Sequence, residues 1–128
     1  MADKDDEVRV LFVEDDPSVA QMYKLKLELD GYKVEVAQDG ELALKMATDS
    51  PPDMIFLDIR LPKMDGLAVL EALRKDAKTS HIPVVILSNY SERELVERGL
   101  KLGALEYLIK SQTTPAKLAG GVENWLKG

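Results

Sequence analysis

Four side-chain groups that could do chemistry each follow a different apolar run. Glu14-Asp15-Asp16 follows Val10-Leu11-Phe12-Val13, and Asp58 follows Met54-Ile55-Phe56-Leu57. Ser88 follows Val84-Val85-Ile86-Leu87, and Lys110 closes Leu105–Ile109. Carboxylates gathered at one place repel strongly where the dielectric is reduced, and a divalent cation relieves that repulsion. Hard oxygen ligands at a partly wet site favour Mg²⁺ or Mn²⁺, with waters completing the shell. A carboxylate beside such an ion can serve as a nucleophile and form an aspartyl-phosphate, and Asp58 is the candidate. Phosphoryl transfer asks for charge neutralisation and alignment more than for acid–base work. Lys110 can pair with one phosphoryl oxygen and the Ser88 hydroxyl can hydrogen-bond to one. Taken singly, Asp58 reads as a turn former, Lys110 as a surface lysine and Asp16 as a helix cap. Only their common place after parallel strands argues for a site.

The elements that must bring them together alternate along the chain. Strands are expected over Val8–Glu14, Lys33–Ala37, Met54–Leu57, Ile82–Leu87 and Leu105–Ile109. The first, third and fourth carry continuous apolar runs, which suits parallel strands covered on both faces. Lys33 and Glu35 interrupt the second and Glu106 the fifth, which suits sheet edges.

Helices are expected between the strands. Asp16-Pro17 opens the first, with Val19, Met22, Leu25 and Leu29 as its buried stripe and Gly31 at its end. Asp39 caps the second, and Asp65-Gly66 opens the third. Ser91 and Glu94 have the spacing of a capping box for the fourth, which Gly103 closes. Thr114-Pro115 opens the fifth, whose interior holds Gly120-Gly121 at a cost on the order of 2 kcal/mol relative to alanine. That pair predicts a soft fifth helix, unless close packing wants no side chain there.

The fold class is therefore α/β. A five-stranded parallel sheet, doubly wound in the flavodoxin-like order 2-1-3-4-5, is expected between five helices. Ligands in such sheets sit beyond the carboxyl ends of the central strands, where Asp58 and its companions fall.

These residues resemble the receiver domain of two-component response regulators. The pieces that carry the resemblance are Val13-Glu14-Asp15-Asp16-Pro17, Asp58 with Leu61-Pro62-Lys63-Met64-Asp65-Gly66, Leu87-Ser88, and Tyr107-Leu108-Ile109-Lys110. They span the chain from about Val8 to Leu126, and a chemotaxis-regulator-like, stand-alone receiver over residues 8–127 is implied. Residues 1–7 read as a flexible acidic tail.

The resemblance implies Asp58 as phosphoacceptor and metal ligand, Asp15 as direct ligand and Glu14 as a ligand through water. It further implies the backbone carbonyl of Arg60 on Mg²⁺, and Ser88, Lys110 and the backbone amide of Asn89 around the phosphoryl group. Tyr107 becomes the aromatic that follows the switch. A histidine kinase or histidine phosphotransfer protein is the implied donor, and a downstream protein effector the implied reader of the surface made by the fourth helix, fifth strand and fifth helix. A signalling switch rather than an enzyme is implied, with weak self-phosphorylation from small donors and self-hydrolysis of the aspartyl-phosphate. Monomers, or a weak phosphorylation-dependent dimer, are expected in the cytoplasm. The alternatives are a receiver that belongs to a longer regulator, or a metal-dependent phosphohydrolase. The latter is disfavoured, because Arg60 stands where an Asp-x-Asp motif would need its second aspartate.

Two departures matter. Ser111 follows Lys110 where the family usually has a proline with a cis peptide bond. A cis bond before serine would cost roughly 3 kcal/mol, so a trans bond, or a strained cis one, is expected there. Arg60 and Tyr90, two residues past Asp58 and Ser88, are expected to flank the path of the hydrolytic water and to slow loss of the phosphoryl group.

Bulk composition agrees and excludes other classes. The 128 residues suit one core, and the chain has no cysteine for disulfides or thiolate metal sites. A formal charge of −6 without a basic stripe argues against direct nucleic-acid binding. No run approaches the roughly 20 apolar residues of a membrane span, so no membrane insertion is expected.

Overall fold

A computed structural model describes residues 7–128; the rest of the tail expected over residues 1–7 lies outside the described residues. Five strands, β1 (Arg9–Val13), β2 (Lys33–Ala37), β3 (Met54–Leu57), β4 (Val84–Ser88) and β5 (Glu106–Ile109), form one parallel sheet in the order β2-β1-β3-β4-β5. The intervening helices are α1 (Pro17–Leu29), α2 (Gly40–Asp49), α3 (Gly66–Lys75), α4 (Arg93–Lys101) and α5 (Pro115–Lys127). The fold is the doubly wound one expected, and the polar-interrupted strands are the edges.

Each face of the sheet carries its own core. Leu11, Val13, Ile55, Leu57, Val84 and Ile86 point into one, which α2 and α3 cover. Val10, Phe12, Met54, Phe56, Val85 and Leu87 point into the other, beneath α1 and α5. The alternation along β1, β3 and β4 is the period-two geometry of a strand with both faces apolar.

The register of α1 differs from the expected one. Met22, Leu25 and Leu29 are 48%, 52% and 80% exposed, while Ala20, Tyr23 and Leu27 are buried. The reason is Tyr23, whose ring stacks on Phe12 with centroids 5.3 Å apart. Its hydroxyl donates to the Thr113 carbonyl at 2.5 Å, so a residue with a polar tip faces inward and three aliphatic ones face out.

The start of α4 also differs. The helix begins at Arg93 after Glu92, and no side chain caps it, so the Ser91–Glu94 box does not form. Starting the helix this late leaves Ser91 one residue outside the cap position. Gly103 closes the helix as expected, at φ +103°. Gly99 is the buried residue of α4, resting against Ile86 and Tyr107. The helix thus starts without a side-chain cap, and it meets the sheet through Gly99 and the core through Leu95.

The two glycines of α5 have different surroundings. A Cβ on Gly121 would fall 2.6–2.9 Å from the Trp125 ring, whereas one on Gly120 would meet nothing within 4 Å. Trp125 meets Phe56 edge-on at 5.7 Å, and its indole N–H donates to Glu106 at 2.5 Å. The helix runs unbroken through both glycines.

Candidate functional site

The expected residues converge at the carboxyl ends of β1, β3, β4 and β5. Asp58 and Glu14 are buried, 5% and 2% exposed, although both are carboxylic acids. Asp15 beside them is exposed. Glu14, Asp15 and Asp58 each offer a carboxylate oxygen, and these oxygens lie within 4.8 Å of one another. Together with Asp16, Arg60, Asn89, Tyr90 and Lys110 they line an open cleft of about 290 Å³.

The acidic run divides its labour. Asp16 is the N-cap of α1 and accepts from the amides of Ser18 at 2.9 Å and Val19 at 3.2 Å. This satisfies donors that the helix start leaves open. Glu14 is pinned from the same turn, where the Asp16 amide donates to its Oε2 at 3.1 Å. Asp15 is left facing the cleft.

Asp58 is held by its backbone and its side chain. Its Oδ1 accepts from the Ile59 amide at 2.7 Å, and Lys110 Nζ lies 2.7 Å from its Oδ2. Lys110 also sits 2.5 Å from Glu14 Oε1, an ion contact without aligned hydrogen-bond geometry. One ammonium therefore bridges two buried carboxylates. Burial alone would lower the Lys110 pKa, but the hydrogen bond to Asp58, the close contact with Glu14 and the charges of both carboxylates outweigh it and raise the pKa. Burial lifts the Glu14 carboxyl above the usual range, against the opposing pull of Lys110.

The loop after β3 explains the spacing from Asp58 to Gly66. A Cβ on Gly66 would lie 2.0 Å from the Asp58 carbonyl oxygen, so only glycine fits. The Gly66 amide donates to the Ile59 carbonyl at 2.7 Å, and Asp65 caps α3 by accepting from the Ala68 amide at 3.0 Å. Lys63 adopts φ +70° at the tip. Gly40, at the start of α2, meets this loop where a Cβ would stand 1.9 Å from the Met64 carbonyl oxygen.

Ser88 is fully buried at the end of β4, and its hydroxyl accepts from the Tyr90 amide at 3.0 Å. Tyr107 is half-buried, packs against the core beneath α4, and donates its hydroxyl to the Tyr90 carbonyl. Both groups thus hold the segment Ser88–Tyr90. Arg60 and Tyr90, both exposed, meet across the cleft, with the guanidinium 4.6 Å from the ring centroid.

Lys110 begins a 3₁₀ turn, Lys110–Gln112, and its bond to Ser111 is trans, as are all peptide bonds among the described residues. Lys110 still reaches Asp58, so the substituted serine does not misdirect it. Sequence reasoning passed over two residues near this turn, Tyr23 and Thr113. A signal was present: Ala20, Tyr23 and Leu27 have helical spacing, but a more aliphatic stripe on the same helix masked it.

The described residues from Val10 to Gly120 match the model of the response regulator receiver domain, and the chain belongs to that family. It is 38% identical over 102 residues to the DNA-binding dual master transcriptional regulator RpaA of Synechocystis, covering 80% of this chain and 42% of that protein. The chain spans less than half the length of the curated relatives it matches. Among solved structures, the chemotaxis response regulator CheY4 of Vibrio cholerae superposes with a TM-score of 0.85 at 30% identity, covering 93% of this chain and 98% of that one. A putative response regulator from Chloroflexus aurantiacus gives 0.88 at 32%, covering 95% and 99%. The family is one of signalling switches, its members bind Mg²⁺ in their acidic pocket, and they work with histidine kinases and effectors. No helix among the described residues is long and apolar enough to cross a membrane.

Proposed function

We propose that this receiver takes a phosphoryl group on Asp58 in a Mg²⁺-dependent reaction, from a histidine kinase or a histidine phosphotransfer protein, and thereby controls a protein partner in the cytoplasm. The observation that carries the reading is a buried Asp58 with Glu14 and Asp15 within 4.8 Å and Lys110 Nζ at 2.7 Å. The donor set is all hard oxygen, which fits Mg²⁺ or Mn²⁺. Asp15 and Asp58 would hold the ion directly with the Arg60 carbonyl, and Glu14 through water. When bound, the ion neutralises charge on the incoming phosphoryl oxygens.

A carboxylate oxygen of Asp58 attacks phosphorus, and the bond from phosphorus to the donor's imidazole nitrogen or acyl oxygen breaks. The leaving group keeps that electron pair. Lys110 exchanges part of its contact with Asp58 for a phosphoryl oxygen. The Ser88 hydroxyl, which accepts from Tyr90, can also donate to another oxygen, with the Asn89 amide beside it. Drawing Ser88 toward the phosphoryl group pulls on the segment that Tyr107 also holds, and that segment leads into α4, whose start no side chain caps. The surface of α4, β5 and α5 then shifts its population between two packings.

Arg60 and Tyr90 stand where water would approach, which supports a role in slowing hydrolysis. Slow turnover suits a switch better than a phosphohydrolase. A second reading, a receiver that is one part of a longer regulator, is supported by the fraction of its relatives that the chain spans. The intact mass of the natural protein separates these.

The test of the central reading is mass spectrometry after incubation with acetyl phosphate and Mg²⁺. One added phosphoryl group is expected, absent with chelator and absent in Asp58→Asn. An unlabelled wild type, or a label that survives Asp58→Asn, overturns it.

A further inference from the structure

We infer that Tyr23 and Thr113 are positioning residues that aim Lys110 at Asp58, taking over the constraint that a proline after the lysine would supply. The inference rests on the phosphoacceptor reading above and names two residues that serve the same site.

The turn after β5 lacks a rigid element of its own. Ser111 and Gln112 are exposed, and the Lys110–Ser111 peptide is trans. Serine leaves φ free where proline would fix it. Thr113 is the residue of this turn that is buried, at 5% exposure, and three hydrogen bonds converge on it. Its amide donates to the Lys110 carbonyl at 3.1 Å. Its hydroxyl donates to the Ile109 carbonyl at 2.8 Å. Its carbonyl accepts from the Tyr23 hydroxyl at 2.5 Å. The first two close the turn around Lys110, and the third fastens that turn to α1.

Tyr23 is itself immobile. It is 2% exposed, and its ring stacks on Phe12 at 5.3 Å with a 21° interplanar angle. Phe12 lies in β1, two residues before Glu14. The contacts thus form a closed circuit: from β1 through Phe12 and Tyr23 to Thr113, along the turn to Lys110, and back to Glu14 just after β1 and Asp58 just after β3. Filling the core needs only the ring. The hydroxyl has one partner, and that partner belongs to the turn that presents the lysine.

The experiment is a double-mutant cycle on the full chain. Tyr23→Phe removes the hydroxyl and keeps the ring, and Thr113→Val gives a second break in the same circuit. The initial rate of phosphoryl incorporation from acetyl phosphate with Mg²⁺ is compared in wild type, Tyr23→Phe, Lys110→Met and the Tyr23→Phe, Lys110→Met pair. Loss of one hydrogen bond of ordinary strength should slow Tyr23→Phe by about five-fold. It should slow Lys110→Met no further, because a residue acting through Lys110 has nothing left to aim. Equal slowing in both backgrounds, or none in the first, overturns the inference.

A second readout needs no phosphoryl transfer. The ¹³Cε resonance of Lys110, assigned by its loss in Lys110→Met, should move toward the position of an unpaired lysine in Tyr23→Phe and Thr113→Val. An unmoved resonance in both variants overturns the inference. If wild type takes no phosphoryl group, the phosphoacceptor reading fails, and this resonance still decides whether Tyr23 aims the lysine.

Discussion

The Arg60 guanidinium lies 4.6 Å from the centroid of the Tyr90 ring, so two residues from different strand ends meet over the mouth of the cleft that holds Asp58. A pair of this kind at an exposed place contributes about 0.5–1 kcal/mol. If it screens the aspartyl-phosphate, Arg60→Ala and Tyr90→Ala each shorten the phosphoryl lifetime by about two- to five-fold. Because the two side chains act together, the double variant should lose less than the product of the single losses. Decay of the label by mass after the donor is removed measures this; unchanged lifetimes in both single variants refute it.

Gly66 should be the least replaceable residue near the site. Its Cβ would have to pass within 2.0 Å of the Asp58 carbonyl oxygen, a backbone atom that cannot yield. Gly66→Ala is expected to cost at least about 3 kcal/mol or to abolish cooperative folding. Gly40→Ala, at 1.9 Å from the Met64 carbonyl, should act alike through the same loop. Urea unfolding midpoints decide, and a loss under about 1 kcal/mol at Gly66 would contradict the geometry.

The glycines of α5 should separate cleanly. Gly120→Ala gains helix propensity in open space and should stabilise the fold by about 1 kcal/mol. Gly121→Ala gains the same propensity but drives a methyl into the Trp125 ring, so it should stabilise less or destabilise. A shift of Trp125 fluorescence in Gly121→Ala alone would accompany that displacement. Equal stabilisation by both would argue that the indole moves aside freely.

The outward face of α1 offers a way to separate chemistry from docking. Met22 and Leu25 are half exposed, on the helix that begins beside Asp15 and Asp16. If a protein donor approaches over this helix, Met22→Asp and Leu25→Asp should slow transfer from that donor by about tenfold or more, as loss of a buried apolar contact would. Phosphorylation by acetyl phosphate should be unchanged. Equal rates with the protein donor would place its footprint elsewhere.

Much of this was legible in the residues. Runs such as Val84–Leu87 suit strands with both faces covered, and Lys33, Glu35 and Glu106 suit edges, which matches the order 2-1-3-4-5 among the common doubly wound ones. Asp58, Ser88 and Lys110 end their strands at one side of the sheet, which assembles the cleft. The rotation of α1 was not legible, because the choice between two stripes depended on a stack with Phe12 and on a hydrogen bond to Thr113, 90 residues away. The capping of α4 failed for a related reason: Ser91 and Glu94 have the right spacing, but the segment Ser88–Tyr90 is held by Ser88 and Tyr107, and the helix starts beyond Ser91. Local patterns predicted elements well; what they missed was decided by partners distant in sequence.

Gly99 sets a mechanical property of α4. Helices usually mesh through side chains that fill hollows in the surface below, and they cannot slip without lifting out. Here the closest point of the helix is a glycine lying flat on Ile86 and Tyr107. At that seat the helix presents no side chain of its own, so a slide or roll of α4 is resisted less there than at Leu95, which packs against the same core. A bulkier residue at this position would act as a ratchet tooth, fixing the helix in one notch and leaving a switch that could be charged but not read.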